Sequence, residues 1–246
     1  MPGAKAMGLL ELLSRNRDLT ASRIISETGM HKSTAYRLLG TLTQLGYIRK
    51  DGHTGLYSLS PKILSLASAV TETRDITEIA RPWLEEIHRK TGEAVHLAVL
   101  DKDELVYLDK IESTRNLRVV MSSRPGSHAP LYCTGIGKTL LSGMSDHRFR
   151  EYLKTLKFAE YTGNTITDAA ALLAEIDKIR EQGYAEDNEE HEEGVYCIAA
   201  PVKGPDGSIT AAFSVSIPSV RKAEALGSGL IADVKRASES ISRAAG

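Results

Sequence analysis

Small, hydroxyl-bearing and thiol-bearing residues alternate along two segments near the C-terminus of the chain. In the segment 209–217, every second residue is small or polar and would share one face of a β-strand: Thr210, Ala212, Ser214 and Ser216. The other parity is apolar and is predicted to face the core: Ile209, Ala211, Phe213, Val215 and Ile217. The segment 195–202 adds Cys197 and Ala199 on one parity, so the two segments could line a hollow for a small ligand. Taken alone, the pattern favours the simpler reading that small residues let a helix pack closely.

A glycine-containing stretch, Thr134-Gly-Ile-Gly-Lys-Thr139, is a second place where ligand chemistry is possible. Gly135 and Gly137 would expose backbone N–H groups where a helix begins, and free donors and the helix dipole favour an anion there. The stretch is not a nucleotide-binding P-loop, because that motif needs a glycine at the position of Tyr132 and a longer loop. A carboxylate is therefore a better fit than a triphosphate.

The run from Glu186 to Glu193 carries six acidic residues in eight. Most runs of this kind are solvated loops, and a metal site is the sharper alternative. However, the residues from His191 to Val195 lack the second histidine of HExxH, and no other histidine stands at ligand spacing. Cys133 and Cys197 have neither CxxC spacing nor a recognisable partner base. We therefore predict no metal site, no cofactor and no catalytic residue.

Two helices near the N-terminus predict a DNA-binding element. The first is capped by Thr20 and ended by Gly29. The second begins near Lys32 and stops at Gly46, and its apolar face is Ala35, Leu38, Leu39, Leu42 and Leu45. The opposite face carries donors suited to phosphates and base edges, so this second helix is the expected recognition helix.

Residues 47–59 add two short strand-like runs around a polar turn, which completes a winged helix-turn-helix together with a first helix over 7–15. Residues 1–60 carry eight Lys and Arg against four Asp and Glu, whereas residues 61–246 carry 23 against 28. A basic head on an acidic body fits contact with double-stranded DNA through the head. The predicted DNA contacts are His31, Lys32, Ser33, Thr34, Tyr36, Arg37, Thr41, Gln44, Lys50 and His53. A helical hairpin that only packs against a protein partner is the alternative.

The rest of the chain predicts an α+β domain, an antiparallel sheet covered by helices. Predicted strands are 94–99, 105–111, 117–121, 195–202 and 209–217, and 124–130 is a predicted loop. Predicted helices are 76–91, 135–142, 152–156, 168–182 and 221–244. The expected domains are a winged helix-turn-helix over 1–60, a linker helix over 61–74 and a ligand-binding domain over 75–246. No apolar run approaches the ~20 residues of a membrane span, and no signal peptide is evident, so we expect a cytoplasmic protein.

Three motifs resemble the IclR-type transcriptional regulators, and the resemblance covers essentially the full length. They lie at 32–39, 131–138 and 183–202, and the last is long and specific. Within the family, the acidic run together with His96-Leu97, Tyr107 and Asn116-Leu-Arg118 looks most like regulators of pectin and sugar-acid catabolism that respond to 2-keto-3-deoxygluconate. One departure is Gly40, which replaces a side chain that often faces DNA. Another is the short segment before the first helix, which puts part of the usual dimer contact in doubt.

The resemblance implies a GAF-like effector domain, a homodimer or dimer of dimers on a palindromic operator, and a repressor of a sugar-acid operon. A small carboxylate such as 2-keto-3-deoxygluconate would release or re-set it. Positions that match the family's effector pocket are Leu117, Val119, Met121, Thr134, Gly135, Ile136, Asp187, Cys197, Ser214 and Ser216. The first three would form an apolar wall, and an ionised Asp187 would accept hydrogen bonds from hydroxyls at the ligand's far end. The alternatives are a sugar-acid enzyme with an accessory DNA-binding head and a GAF-like sensor that acts through a protein partner.

Overall fold

The computed structural model describes residues 2–68, 76–119, 121 and 123–246. The chain divides into two compact units, Met1–Arg74 and Asp75–Gly246. The linker helix predicted over 61–74 is described only as α4, Lys62–Ser68, and the rest of that prediction lies outside the described residues. No helix of the described ranges is long and apolar enough to cross a membrane.

The first unit is a winged helix-turn-helix, as predicted. It contains α1 (Pro2–Arg15), α2 (Ala21–Thr28), α3 (Lys32–Gln44) and an antiparallel hairpin of β1 (Ile48–Lys50) and β2 (Tyr57–Leu59). The Thr20 hydroxyl caps α2 by accepting from the Arg23 N–H, and Gly29 ends it with a left-handed φ of 62°. Apolar residues of all three helices and the hairpin meet in one core: Leu9, Leu13, Ile24, Ala35, Leu39, Leu42, Ile48 and Tyr57.

Several large apolar side chains of this unit are exposed. Leu45 follows the last residue of α3 as its cap and is 50% exposed, so it leaves the predicted buried face. Leu64 and Leu66, two apolar residues of α4, are exposed as well.

The second unit is built on a six-stranded sheet in which every neighbouring pair of described strands is antiparallel. The strands are β3 (Ala94–Asp101), β4 (Glu104–Ile111), β5 (His128–Pro130), β6 (Ala185–Asn188), β7 (Val195–Lys203) and β8 (Ile209–Pro218). Their spatial order is β5-β4-β3-β8-β7-β6. The helices are α5 (Ile76–Thr91), α6 (Gly135–Ser142), α7 (Asp146–Thr155), α8 (Ala169–Gln182), α9 (Lys222–Gly227) and α10 (Leu230–Ala245). Helices α5 and α10 pack on one face of the sheet, and α6, α7 and α8 pack on the other.

The strand predicted over 117–121 is wrong, because residues 117–119 and 121 form no strand. The Leu117 carbonyl accepts a hydrogen bond from the Arg221 guanidinium (2.9 Å) instead of a ladder bond. The edge of the sheet is formed by β5, inside the segment predicted to be a loop. Local backbone chemistry explains two further differences. Ser145 caps α7, which begins at Asp146, six residues before the predicted start. Gly229, with φ of 85°, separates α9 from α10 where one helix was expected.

The predicted parity of β8 holds from Ala211 to Ile217, where the apolar residues face α5 and α10. Ile209 departs from it. A register shift places Ile209 opposite Lys203, although Ala211 already pairs with Val202. The extra residue turns Ile209 toward the α6 side of the sheet, where it packs against that core.

Candidate functional site

A cavity of about 630 Å³, including its open mouth, lies on the α6 side of the sheet. Strands β3, β7 and β8, the edge strand β6 and the first turn of α6 supply most of its wall. Its lining residues are His96, Tyr107, Met121, Ser123, Ser127, His128, Ala129, Thr134, Gly135, Ile136, Asp187, His191, Glu192, Val195, Cys197, Ser214 and Ser216.

The structure brings eight of the ten predicted effector residues together in this lining. The eight are Met121, Thr134, Gly135, Ile136, Asp187, Cys197, Ser214 and Ser216. Leu117 and Val119 are placed outside it, and Leu117 is 59% exposed, because their segment is not a strand that faces the sheet interior. The expected apolar wall is therefore reduced to Met121.

The start of α6 offers backbone donors, but not the pair that the glycine pattern predicted. The Thr134 hydroxyl caps the helix by accepting from the Gly137 N–H (3.1 Å), so that donor is taken. The N–H groups of Gly135 and Ile136 come earlier and have no carbonyl one turn before them in the helix. Gly137 has a steric role, since a Cβ there would overlap the Leu131 backbone. Gly135 and Ile136 are thus the donors that an anion could use.

Asp187 lies in β6 opposite Cys197 and is 4% exposed. Its Oδ1 accepts a hydrogen bond from the Glu190 N–H (2.8 Å). Burial, reinforced by the charge of Glu190, raises the pKa of Asp187 to about 7. A Cβ added at Gly135 would stand 3.7 Å from the Asp187 Cβ, so Asp187 lies beside the helix start. A ligand carboxylate at this helix start would therefore have Asp187 as a neighbour, whereas the sequence analysis expects an ionised Asp187 at the ligand's far end.

A buried ion pair supports the acidic run from behind the cavity. The Lys138 ammonium is 1% exposed, bonds to Glu190 and lies 3.6 Å from Glu175. Lys138 therefore stabilises the loop that follows Asp187 and does not line the cavity. The Thr165 hydroxyl adds a bond to the Glu190 carbonyl (2.6 Å). Part of the acidic run is accordingly a buried, bonded structure and not a solvated loop.

His96 is the main lining residue that the sequence reasoning did not assign to the site. Its Nε2 is 2.9 Å from the Ser123 hydroxyl, and its Nδ1 is 3.4 Å from the Ser216 hydroxyl. Burial, together with the charge of Lys110, lowers the pKa of His96 to about 3, so the ring is neutral. Tyr107 packs on it with ring centroids 5.5 Å apart. The strand parity that selected Ser214 could have found His96, because the two residues are cross-strand partners.

The remaining lining residues missed from sequence are Tyr107, Ser123, Ser127, His128, Ala129, His191, Glu192 and Val195. Several come from irregular segments, which leave no periodic signal in the sequence. Within the described residues, no group of three or more His, Cys, Asp and Glu side chains is arranged to hold a metal ion.

In the first unit, the predicted DNA contacts belong to α3, to its N-cap residue His31 and to the hairpin. The exposed residues are His31, Lys32, Ser33, Tyr36, Arg37, Thr41, Gln44, Lys50 and His53, and Thr34 is half-buried. Asp51 orders the hairpin turn, because its Oδ1 accepts from the N–H groups of His53 (3.0 Å) and Thr54 (2.7 Å). The Lys50 ammonium lies 5.5 Å from the centre of the Tyr57 ring. The Asp51 carboxylate therefore fixes the shape of the hairpin turn, and the exposed Lys50 ammonium lies at the surface of the hairpin.

Comparisons with known proteins agree with this arrangement. Residues 68–243 match the model of the bacterial transcriptional regulator IclR C-terminal domain, and residues 4–52 match the IclR helix-turn-helix domain. The HTH-type transcriptional regulator KdgR of Escherichia coli (strain K12) is 40% identical over 220 residues, which cover 89% of this chain and 83% of that protein. KdgR of Dickeya chrysanthemi is 39% identical over 220 residues, which cover 89% of this chain and 72% of that protein.

The crystal structure of IclR from Thermotoga maritima has the same fold. Its TM-score is 0.82 at 33% identity, and the match covers 98% of this chain and 96% of that one. The relatives are named as transcriptional regulators and not as enzymes, which decides against an enzyme with an accessory DNA-binding head. The chain belongs to the IclR family and is a DNA-binding transcriptional regulator with a C-terminal effector-binding domain.

Proposed function

We propose that this regulator represses genes of sugar-acid catabolism in the cytoplasm. It binds a palindromic operator as a homodimer or dimer of dimers. A small sugar acid such as 2-keto-3-deoxygluconate occupies the cavity and lowers the affinity for the operator. The DNA contacts are α3 and the hairpin. The effector contacts are the cavity residues Thr134, Gly135, Ile136, Asp187, Cys197, Ser214, Ser216 and Met121.

The groups around the start of α6 support an effector that carries a carboxylate. Two backbone N–H groups, of Gly135 and Ile136, lie beside a carboxyl group that is largely protonated below pH 7. Backbone donors at a helix start bind a carboxylate, and a protonated Asp187 can donate to the same anion. The hydroxyls of Ser214 and Ser216 and the thiol of Cys197 line the rest of the sheet wall and suit the hydroxyl groups of a sugar. The 40% identity to KdgR supports the same class.

The DNA contacts can be tested on an operator selected from random-sequence DNA. Arg37 lies on the exposed face of α3, and Arg37→Ala is expected to lower the affinity for that operator by about 1–3 kcal/mol, if it reads a base edge. Lys50→Ala is the contrasting variant. It should weaken binding to all DNA sequences. The slope of log affinity against log salt concentration should become shallower by about one. Unchanged operator affinity of Arg37→Ala in a gel-shift titration would remove Arg37 from the interface.

The effector can be tested by fluorescence anisotropy of the labelled operator with bound protein. Addition of 2-keto-3-deoxygluconate should release the DNA, because a ligand shifts an equilibrium by its differential affinity for the two states. It should also raise the melting temperature of the free protein. The proposal fails if neither this compound nor related keto acids change the anisotropy or the melting temperature.

A further inference from the structure

We infer that the cavity selects effectors with a single carboxylate and rejects those with two. This inference rests on the proposed function insofar as the effector is a sugar acid. One anion is received at the start of α6, beside Asp187, and the rest of the lining includes the neutral His96 and the carboxylate of Glu192. The selected class is thus the monocarboxylate sugar acids, and the rejected class is the corresponding dicarboxylates.

His96 occupies the wall where a second carboxylate would need a cation. Both of its nitrogens are already engaged, by the hydroxyls of Ser123 (2.9 Å) and Ser216 (3.4 Å). Its cross-strand partner is Lys110, whose ammonium is bonded to Glu112 (2.9 Å) and to the Met121 carbonyl (3.3 Å). Protonation of His96 would place a second positive charge beside Lys110 in a buried position. His96 therefore stays neutral and binds uncharged oxygens.

Among the described residues, the cavity lining contains two carboxyl side chains, Asp187 and Glu192, and no lysine or arginine. Glu192 lines the cavity with about a third of its side chain exposed, and Asp187 is buried in it. Burial lowers the pKa of His191, which lies 3.8 Å from Glu192, so His191 does not offset that charge. His128, at the exposed rim, lies 3.2 Å from the carboxylate of Glu104. A second ligand carboxylate would therefore meet repulsion and desolvation without a compensating partner.

A matched pair of ligands tests the inference. Isothermal titration calorimetry of the full chain would compare 2-keto-3-deoxygluconate with 2-keto-3-deoxyglucarate, which differs only by a carboxylate in place of the C6 hydroxymethyl group. At pH 6.5 we expect the monocarboxylate to bind about 10- to 100-fold more tightly, as like charges within one partly desolvated site require.

Variants identify the source of the preference. Glu192→Gln removes a repelling charge and should narrow the ratio of the two dissociation constants by about 3- to 10-fold. Glu193→Gln is the matched control, because Glu193 is exposed, lies outside the lining and should leave the ratio unchanged. His96→Gln keeps a neutral hydrogen-bonding side chain and should preserve the preference, whereas His96→Lys should abolish it. Thermal denaturation checks that each variant is folded. If His96→Lys does not fold, the comparison of Glu192→Gln with Glu193→Gln tests the inference without it.

The outcomes separate this inference from the proposed function. Equal binding of both ligands, or tighter binding of the dicarboxylate, would overturn the inference and leave a sugar-acid regulator. An equal ratio in Glu192→Gln and wild type would remove Glu192 from the mechanism. If neither ligand binds while operator binding is intact, the sugar-acid class itself is wrong and the inference fails with it.

Discussion

Effector affinity should depend on the protonation of Asp187. Burial raises the pKa of this carboxyl from 3.8 to about 7, and it lies beside the Gly135 N–H group where the effector carboxylate is proposed to bind. The protonated form can donate a hydrogen bond to the anion, whereas the ionised form repels it. Binding should therefore be strongest below pH 7 and weaken as the pH rises through the pKa of Asp187.

The magnitude follows from that pKa. If only the protonated form binds, the affinity is nearly constant below pH 6 and falls about tenfold between pH 6 and pH 8, which corresponds to about 1.4 kcal/mol. Several other groups near Asp187 change protonation outside this range. The pKa of His96 is about 3, and burial raises the pKa values of Tyr107 and Cys197. Lys138 and Glu190 form an ion pair behind the loop.

The same carboxyl should affect folding stability with a defined sign. Because its pKa is higher in the folded state, ionisation opposes folding: the penalty is absent below about pH 3.8, grows as the pH rises and is complete above about pH 7. Raising the pKa from 3.8 to about 7 corresponds to about 4 kcal/mol at pH 8. Asp187→Asn keeps the acceptor for the Glu190 N–H without the charge, so it should be more stable than wild type at pH 8 and similar at pH 4.

The assay is isothermal titration calorimetry with 2-keto-3-deoxygluconate from pH 5.5 to pH 8.5, with thermal denaturation over the same range. Asp187→Asn should flatten both profiles, and Glu193→Gln should leave both as in wild type. A wild-type affinity that is constant between pH 6 and pH 8, or an Asp187→Asn affinity that still falls tenfold, would refute the assigned role of Asp187.

Two further predictions concern the scaffold of the cavity. Gly137→Ala should destabilise the second unit by about 1–3 kcal/mol in urea denaturation, because its Cβ would overlap the Leu131 backbone, while Gly163→Ala, with open space around it, should change stability by less than about 0.5 kcal/mol. Lys138→Met should destabilise by about 3–5 kcal/mol, since it leaves the Glu190 carboxylate buried without its cation. The double variant Lys138→Met/Glu190→Met should recover much of that loss, and equal loss in single and double variants would contradict the ion-pair argument.

The sequence alone determined the elements whose signals are local. Hydrophobic periodicity located α2, α3, α8 and the long strands β7 and β8. Thr20 and Gly29 marked helix ends, because capping depends only on neighbours along the chain. The small and polar residues at alternate positions of β7 and β8 also singled out Cys197, Ser214 and Ser216, because successive side chains of a regular strand point to opposite faces. The resemblance to a family then directed attention to Asp187.

Only the tertiary structure decided how these pieces act. It placed Asp187 beside Gly135 at the start of α6, and this position leads to the proposal that its carboxyl group shares the anion site. It also moved Leu117 and Val119 out of the lining and brought in His96 and Ser123. Burial and the proximity of charges set a pKa, and both arise from residues far apart in the chain. Sequence spacing carries no record of these contacts, so the protonation of the site could be read only from the folded chain.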